Sequence, residues 1–236
     1  MPFVPVLHAE WIKIRTLRSL VGSLAAIVVA TVAFSALASA DADDTDPLFS
    51  AFFGIGFGQI AAIAFGTTAV AAEFRGGALR LTLAAAPDRG RWFAAKATAI
   101  ALPVLAVGLL TGLVTLLVGK AVLGRHGPGW AEGLRGAVGC GLHLTLMSLF
   151  AAGLAAVLRS GVATLSVLIP FLLIVSFVIG DLSAGAADFL PDRAGQVALH
   201  STWDGALGPW TGLAVTALWT AAALGAGAWS IHRRDA

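Results

Sequence analysis

Residues 97–119 read ATAIALPVLAVGLLTGLVTLLVG, a run without one Asp, Glu, Lys or Arg. At the rise of an α-helix it is about 35 Å long, enough to cross the roughly 30 Å hydrocarbon core of a bilayer. A single charged side chain near its middle would cost about 2.5–3.5 kcal/mol on insertion scales, and none is there. Five further segments share the property: 19–40, 48–72, 136–158, 160–180 and 206–231. Strands of a membrane barrel span only about 9–11 residues and alternate in polarity, whereas these runs are longer and apolar throughout. The expected fold is therefore all-α, a single polytopic membrane domain over residues 1–236 with six transmembrane helices.

Composition agrees. Hydrophobic residues make up 58% of the chain and charged ones 12%, about half the charged share of a soluble domain. A net charge of +2 gives no electrostatic footprint for nucleic acid. Cys140 is the single cysteine, so no intrachain disulfide and no cysteine metal site is expected. The first apolar run ends in Ala38-Ser39-Ala40, a pattern resembling a signal-peptidase site. Residues 19–40 exceed the 7–15 residues of a signal core, so a retained first helix is expected.

Lys and Arg in short loops set orientation. With the N-terminus inside, Lys13, Arg15, Arg18, Arg75, Arg80, Arg89, Arg91, Lys96, Arg159, Arg233 and Arg234 fall on the inner side. Lys120, Arg125, Arg135 and Arg193 fall on the outer side. The imbalance predicts both termini in the cytoplasm, and the chain is expected in the cell (plasma or inner) membrane. The first outer loop carries Asp41, Asp43, Asp44 and Asp46. It lacks the ordered glycine and glutamate of a calcium loop and reads as a solvated acidic turn.

Two inner elements stand out. In residues 3–18, Val4, Leu7, Trp11 and Ile14 recur at helical spacing, which predicts an amphipathic helix in the membrane interface, among the lipids. Between the second and third runs, Glu73-Phe74-Arg75-Gly76-Gly77 should end the second helix. Residues 78–86 contain good helix formers, Pro87 stops them, and Asp88 can cap the next helix. The loop 76–91 should therefore hold a short helix with Leu79 and Leu83 as an apolar ridge among arginines, a docking element or simply a basic loop.

Within the spans, Gly54, Gly58, Ala62 and Gly66, and again Gly208 and Gly212, have the spacing of packing seams. Phe53 and Phe57 are candidates to line a path or to face lipid. Gln59 and His143 are polar groups expected to point inward. For His143, substrate or proton binding and a plain interhelical hydrogen bond both remain open. Pro103 and Pro170 can kink their helices. Residues 181–205 form a long outer loop with the makings of short interfacial helices. No Gly-x-x-x-x-Gly-Lys-Ser/Thr phosphate loop and no Gly-x-Ser-x-Gly elbow occurs, so neither an ATPase nor a serine hydrolase is encoded here. No catalytic residue is assigned, and no enzyme activity is expected of the chain.

The segment His8-Ala9-Glu10-Trp11-Ile12-Lys13-Ile14-Arg15-Thr16-Leu17-Arg18-Ser19 resembles the opening of type-2 ATP-binding-cassette (ABC) exporter permeases. The segment Glu73-Phe74-Arg75-Gly76-Gly77-Ala78-Leu79-Arg80, with Ala86-Pro87-Asp88-Arg89 and Lys96, resembles the loop after the second span in that family. Ala78 stands where the family usually has threonine. The resemblance implies a coupling helix docking on a separate ABC ATPase subunit, and a second permease copy or homologue completing the path. It implies that ATP–Mg is held by the partner, with no cofactor on this chain. Leu79, Arg80 and Leu83 would be the ATPase contacts, and Glu73 and Arg75 would brace the hinge, with Gly76, Gly77, Pro87 and Arg89 framing the loop. Phe53, Phe57, Gln59, His143 and Pro170 are the candidate path residues, and a hydrophobic or amphipathic cargo is expected. The competing reading is an ion-coupled secondary transporter or another integral membrane protein without an ATPase. The charge-free spans count against the former.

Overall fold

A computed structural model describes residues 3–41, 46–85, 87–172, 185, 187–203 and 205–233. Expected features at Asp43, Asp44, Ala86, 173–184 and Arg234 lie outside the described residues. The described residues are helical, without a strand. In chain order the helices are α1 (Phe3–Thr16), α2 (Arg18–Ala40), α3 (Pro47–Phe52), α4 (Ile55–Ala71) and α5 (Ala78–Ala85). They continue with α6 (Arg89–Leu123), α7 (Trp130–Leu158), α8 (Gly161–Pro170), α9 (Pro191–Gln196) and α10 (Pro209–Arg233).

Five helical stretches are long and apolar enough to cross a membrane: Arg18–Ala40, Pro47–Phe74, Arg89–His126, Trp130–Leu158 and Pro209–Arg233. This is the character of a multi-pass membrane protein. The run expected as a sixth span at 160–180 is described only through α8 and the residues just after it, an apolar helix of 10 residues as far as Pro170. Exposed indoles mark both ends of the bundle. Trp130 lies under the Lys120 ammonium and Trp203 under the Arg135 guanidinium at one end. Trp229 lies under Arg233 at the other, the placement that bilayer interfaces favour.

Helix α7 is the hub, contacting α4, α6 and α10. Close approach depends on missing side chains. A Cβ on Gly66 would overlap the Ser148 carbonyl of α7, and one on Gly58 would overlap the Thr31 hydroxyl of α2. A Cβ on Gly54 would overlap the Thr31 carbonyl. With fully buried Ala62 these residues form the seam read from the sequence. The second expected seam is half present: Gly212 lies against the Ala194 carbonyl of α9, while Gly208 meets only its own turn and Trp203.

The second span is interrupted rather than continuous. Between α3 and α4, the Gly54 amide donates to the Ser35 hydroxyl at 2.9 Å, a side-chain bond that binds the break to α2. Helix α6 runs unbroken for 35 residues through Pro103, well beyond the expected 97–119. The buried face of α1 also differs from the expected stripe. Val6, Glu10 and Ile14 point inward, while Val4 is exposed and Val4, Leu7 and Trp11 line a groove against Leu102, Pro103 and Ala106 of α6. The rotation follows from Glu10, whose carboxylate is drawn inward by cations from other helices.

Replacing Gly66 by Val should cost about 1–3 kcal/mol through overpacking of the α4–α7 seam. Gly56, with no neighbour within 4 Å of a built Cβ, should accept Ala with a gain of up to about 1 kcal/mol from helix propensity. Thermal unfolding of both variants in one detergent checks the contrast.

Candidate functional site

At the end of the bundle that carries α5, the chain leaves α4 through a single 3₁₀ turn, Ala72–Phe74. Arg75 then turns extended, and Gly76 and Gly77 adopt φ of +59° and +76°. Left-handed backbone at two successive positions favours glycine, so this pair reverses the chain into α5. Pro87 follows α5, and Asp88 caps α6 by accepting from the Arg91 amide at 2.9 Å. That bond, with the Arg91 charge, holds the exposed Asp88 carboxyl below the usual carboxylate range.

Helix α5 has two faces. Leu79 is only 4% exposed and packs into the core, and Leu83 packs partly against it. Leu81, at 75% exposure, is the apolar residue that points away, beside exposed Arg80, Ala84 and Ala85. The expected ridge of Leu79 and Leu83 is therefore turned inward and fastens α5 to the bundle. The outward ridge is Arg80–Leu81–Ala84. Arg80 also borders a cavity of about 350 Å³ with Glu73, Phe74, Gly77, Leu79 and Arg159.

Beneath this helix lies a buried ionic cluster. The Lys96 ammonium donates to Glu73 Oε1 at 2.7 Å and pairs with the Glu10 carboxylate. Lys13 donates to the same Glu73 oxygen at 2.8 Å and to Glu10 Oε1 at 2.9 Å. The Trp92 indole N–H donates to Glu10 Oε1 at 3.2 Å, and the Thr82 hydroxyl of α5 donates to Glu73 Oε2 at 3.3 Å. Glu10, Glu73 and Lys96 are buried; Lys13 reaches the surface. Two negative and two positive charges cancel, which makes burial tolerable. Burial opposes the charge on Lys13, but the bond to Glu73 and the field of Glu10 outweigh it and raise its pKa above the usual lysine value. A raised lysine contributes fully below about pH 10 and loses its contribution as pH rises through its folded value, so this tie holds throughout the physiological range.

At the junction Glu73 pairs with Lys13 and Lys96. Arg75 is exposed, and the cations that pair with Glu73 come from α1 and α6 instead. Arg89 lies across the junction, its guanidinium donating to the Ile231 carbonyl at 2.6 Å, which joins the start of α6 to the end of α10. Sequence reasoning does not unite Glu10, Lys13 and Trp92 as one site. Their only local signal is spacing: Glu10 and Lys13 are three apart, and Trp92 and Lys96 four apart, each pair on one helix face.

Of the candidate path residues, Gln59 and His143 are brought together and Phe53, Phe57 and Pro170 lie apart from them. His143 and Gln59 are buried and bonded at 2.9 Å between α7 and α4. His143 also lies directly against Gly195 of α9. Phe53 and Phe57 are 43% and 38% exposed on the outside of the bundle, where Phe57 stacks on Phe34 at 3.8 Å. Two residues along a helix turn by about 200°, so Phe57 and Gln59 necessarily face opposite ways. Pro170 is exposed at the end of α8.

No family model matches the chain, and no curated protein matches it.

Lys96→Met should destabilise the protein by about 3–5 kcal/mol, because two buried carboxylates are left with one partly exposed cation. Glu73→Gln, which keeps the shape and one acceptor, should cost less. Chemical or thermal unfolding in detergent micelles, followed by tryptophan fluorescence, measures both.

Proposed function

We propose that this chain is the membrane subunit of an ATP-driven exporter, with ATP–Mg bound and hydrolysed by a separate ABC-type subunit. The observation that carries the reading is the attachment of α5. A short helix with an outward Arg80–Leu81–Ala84 face is joined, through Glu73 and Thr82, to charged groups on α1 and α6. Glu73 itself lies in the 3₁₀ turn that follows α4. Displacement of α5 by a partner would therefore reach three helices through polar contacts, part-buried at Thr82 and Lys13 and buried at Lys96, a route for a rigid-body step. In this reading α5 is the coupling helix, α1 rests at the inner interface, and both termini are cytoplasmic.

A second copy or a homologue would complete the path, with the exposed Phe34, Phe53 and Phe57 strip available to an apolar cargo or to the partner permease. The apolar bundle supports a hydrophobic or amphipathic cargo rather than a charged one. The likeness of the Glu73–Arg80 and Pro87–Arg89 segments to type-2 ABC permeases supports the same conclusion.

Co-expression with candidate ABC ATPases from the same genome, followed by purification in detergent, tests the reading. Leu81→Asp and Arg80→Glu should reduce ATPase recovery at least several-fold while the permease still inserts and stays monodisperse. Recovery equal to the parent in both variants would reject α5 as the docking element.

A further inference from the structure

Helix α1 and helix α6 leave an apolar groove between them. Val4, Leu7 and Trp11 form one wall and Leu102, Pro103 and Ala106 the other, around a volume of about 470 Å³. Val4 is 71% exposed and Leu102 53%, so no segment among the described residues covers them. The α6 wall lies about 8–14 Å along the helix from Ala97, where the charge-free run begins. With a hydrocarbon half-thickness of about 15 Å, that is the depth of acyl chains.

The same face of α1 changes character at its far end. Residues 4, 11 and 15 fall within about 40° of one another around the helix, so Arg15 stands one turn beyond Trp11 on the groove side. Arg18 opens α2, immediately before the charge-free run 19–40. Both arginines are exposed and form no ion pair among the described residues. The neighbouring cations are engaged: Lys13 and Lys96 pair with Glu10 and Glu73. The carboxylates are thus neutralised on the inward face of α1. The outward face is left with an apolar groove and, at its headgroup end, net positive charge.

We propose that this groove holds one acyl chain of an anionic phospholipid, with the lipid phosphate at Arg15 and Arg18. The inference rests on the helices spanning a bilayer, and it stands whether or not the chain serves an ATPase.

The charge pattern decides the class of lipid. A zwitterionic lipid presents the same phosphate, but its own cation cancels much of the attraction. Each arginine near an anionic headgroup layer favours it by roughly five-fold, and water around the exposed guanidinium groups lessens that gain. A guanidinium also donates two parallel bonds to phosphate oxygens, a geometry that lysine lacks. Trp11 lies between the arginine and the apolar groove, where an indole is suited to the interface.

Trp11 lines the groove and can report on it. In phosphatidylcholine nanodiscs, part of the lipid is replaced by acyl-brominated phosphatidylglycerol or acyl-brominated phosphatidylcholine. Subtracting the fluorescence of Trp11→Phe from that of the parent cancels the other tryptophans. Half-quenching should require a fraction of brominated phosphatidylglycerol roughly five-fold smaller than of brominated phosphatidylcholine. Arg15→Gln combined with Arg18→Gln should remove that difference while leaving quenching by the zwitterionic lipid intact. Ala106→Phe, which fills the groove from the exposed side of α6, should raise the fraction of phosphatidylglycerol needed several-fold. Equal quenching by the two lipids in the parent, or a preference that survives either the arginine changes or the filling of the groove, would overturn the proposal. Quenching by neither lipid would overturn it together with the place of α1 in the bilayer.

Discussion

Two carboxylates and two ammonium groups at one end of this bundle have to neutralise one another, because three of them have little access to water. That requirement organises the proximal end of the molecule. It draws Glu10 of α1 inward and ties Glu73, just after α4, to α1 and α6. It holds α5 down through Thr82 and selects the face of α6 that looks inward. A buried ion pair is not in itself a source of net stability. Its value here is geometric, since each charge has partners on another segment and none can leave alone at low cost. Helices joined only by apolar contacts can slide past one another; helices joined by Lys96 and Glu73 have one preferred register.

The rest of the bundle depends on a different kind of contact. Along α4, the side chains at 54, 58 and 66 are reduced to hydrogen so that α2 and α7 can approach to backbone contact. Without a strong hydrophobic difference between lipid tails and apolar side chains, such packing is the main cohesive term available to helices in hydrocarbon. The molecule thus combines dry seams along its length with polar fastenings at its ends: the ionic cluster at one, the Asp46 carboxylate, bonded to His200 and Ser201, at the other.

Much of this is legible in the sequence, for physical reasons. Hydrocarbon imposes length and excludes charge, so the apolar runs at 19–40, 97–119 and 136–158 can be read directly. Gly76-Gly77 and Pro87-Asp88 carry strong backbone preferences and mark the limits of α5 correctly. Orientation about a helix axis is not legible in the same way. The apolar periodicity of α1 points to Val4, Leu7, Trp11 and Ile14, yet of these only Ile14 is fully buried, and the inward face also contains Glu10, whose partners include residues far along the chain. In α5, Leu79, Leu81 and Leu83 are equally apolar, and only the packing of Leu79 distinguishes the inner face from the outer. The Asp46 and His200 contact is invisible for the same reason. In sequence Asp46 is one member of an acidic turn, and His200 lies in a loop about 150 residues away with no local signal to connect them.

Helix α6 has one more consequence. It continues without a break through its proline, and its 35 residues make a rod of about 53 Å. Its first turns carry Trp92 and Lys96, and its far end carries Lys120 against Trp130. A straight rod of that length would tilt as one body about its midpoint. A tilt of about 5° would swing each tip by about 2 Å in opposite directions. Motion imposed on one face of the bilayer would therefore arrive on the other as a displacement of comparable size, without any helix having to bend.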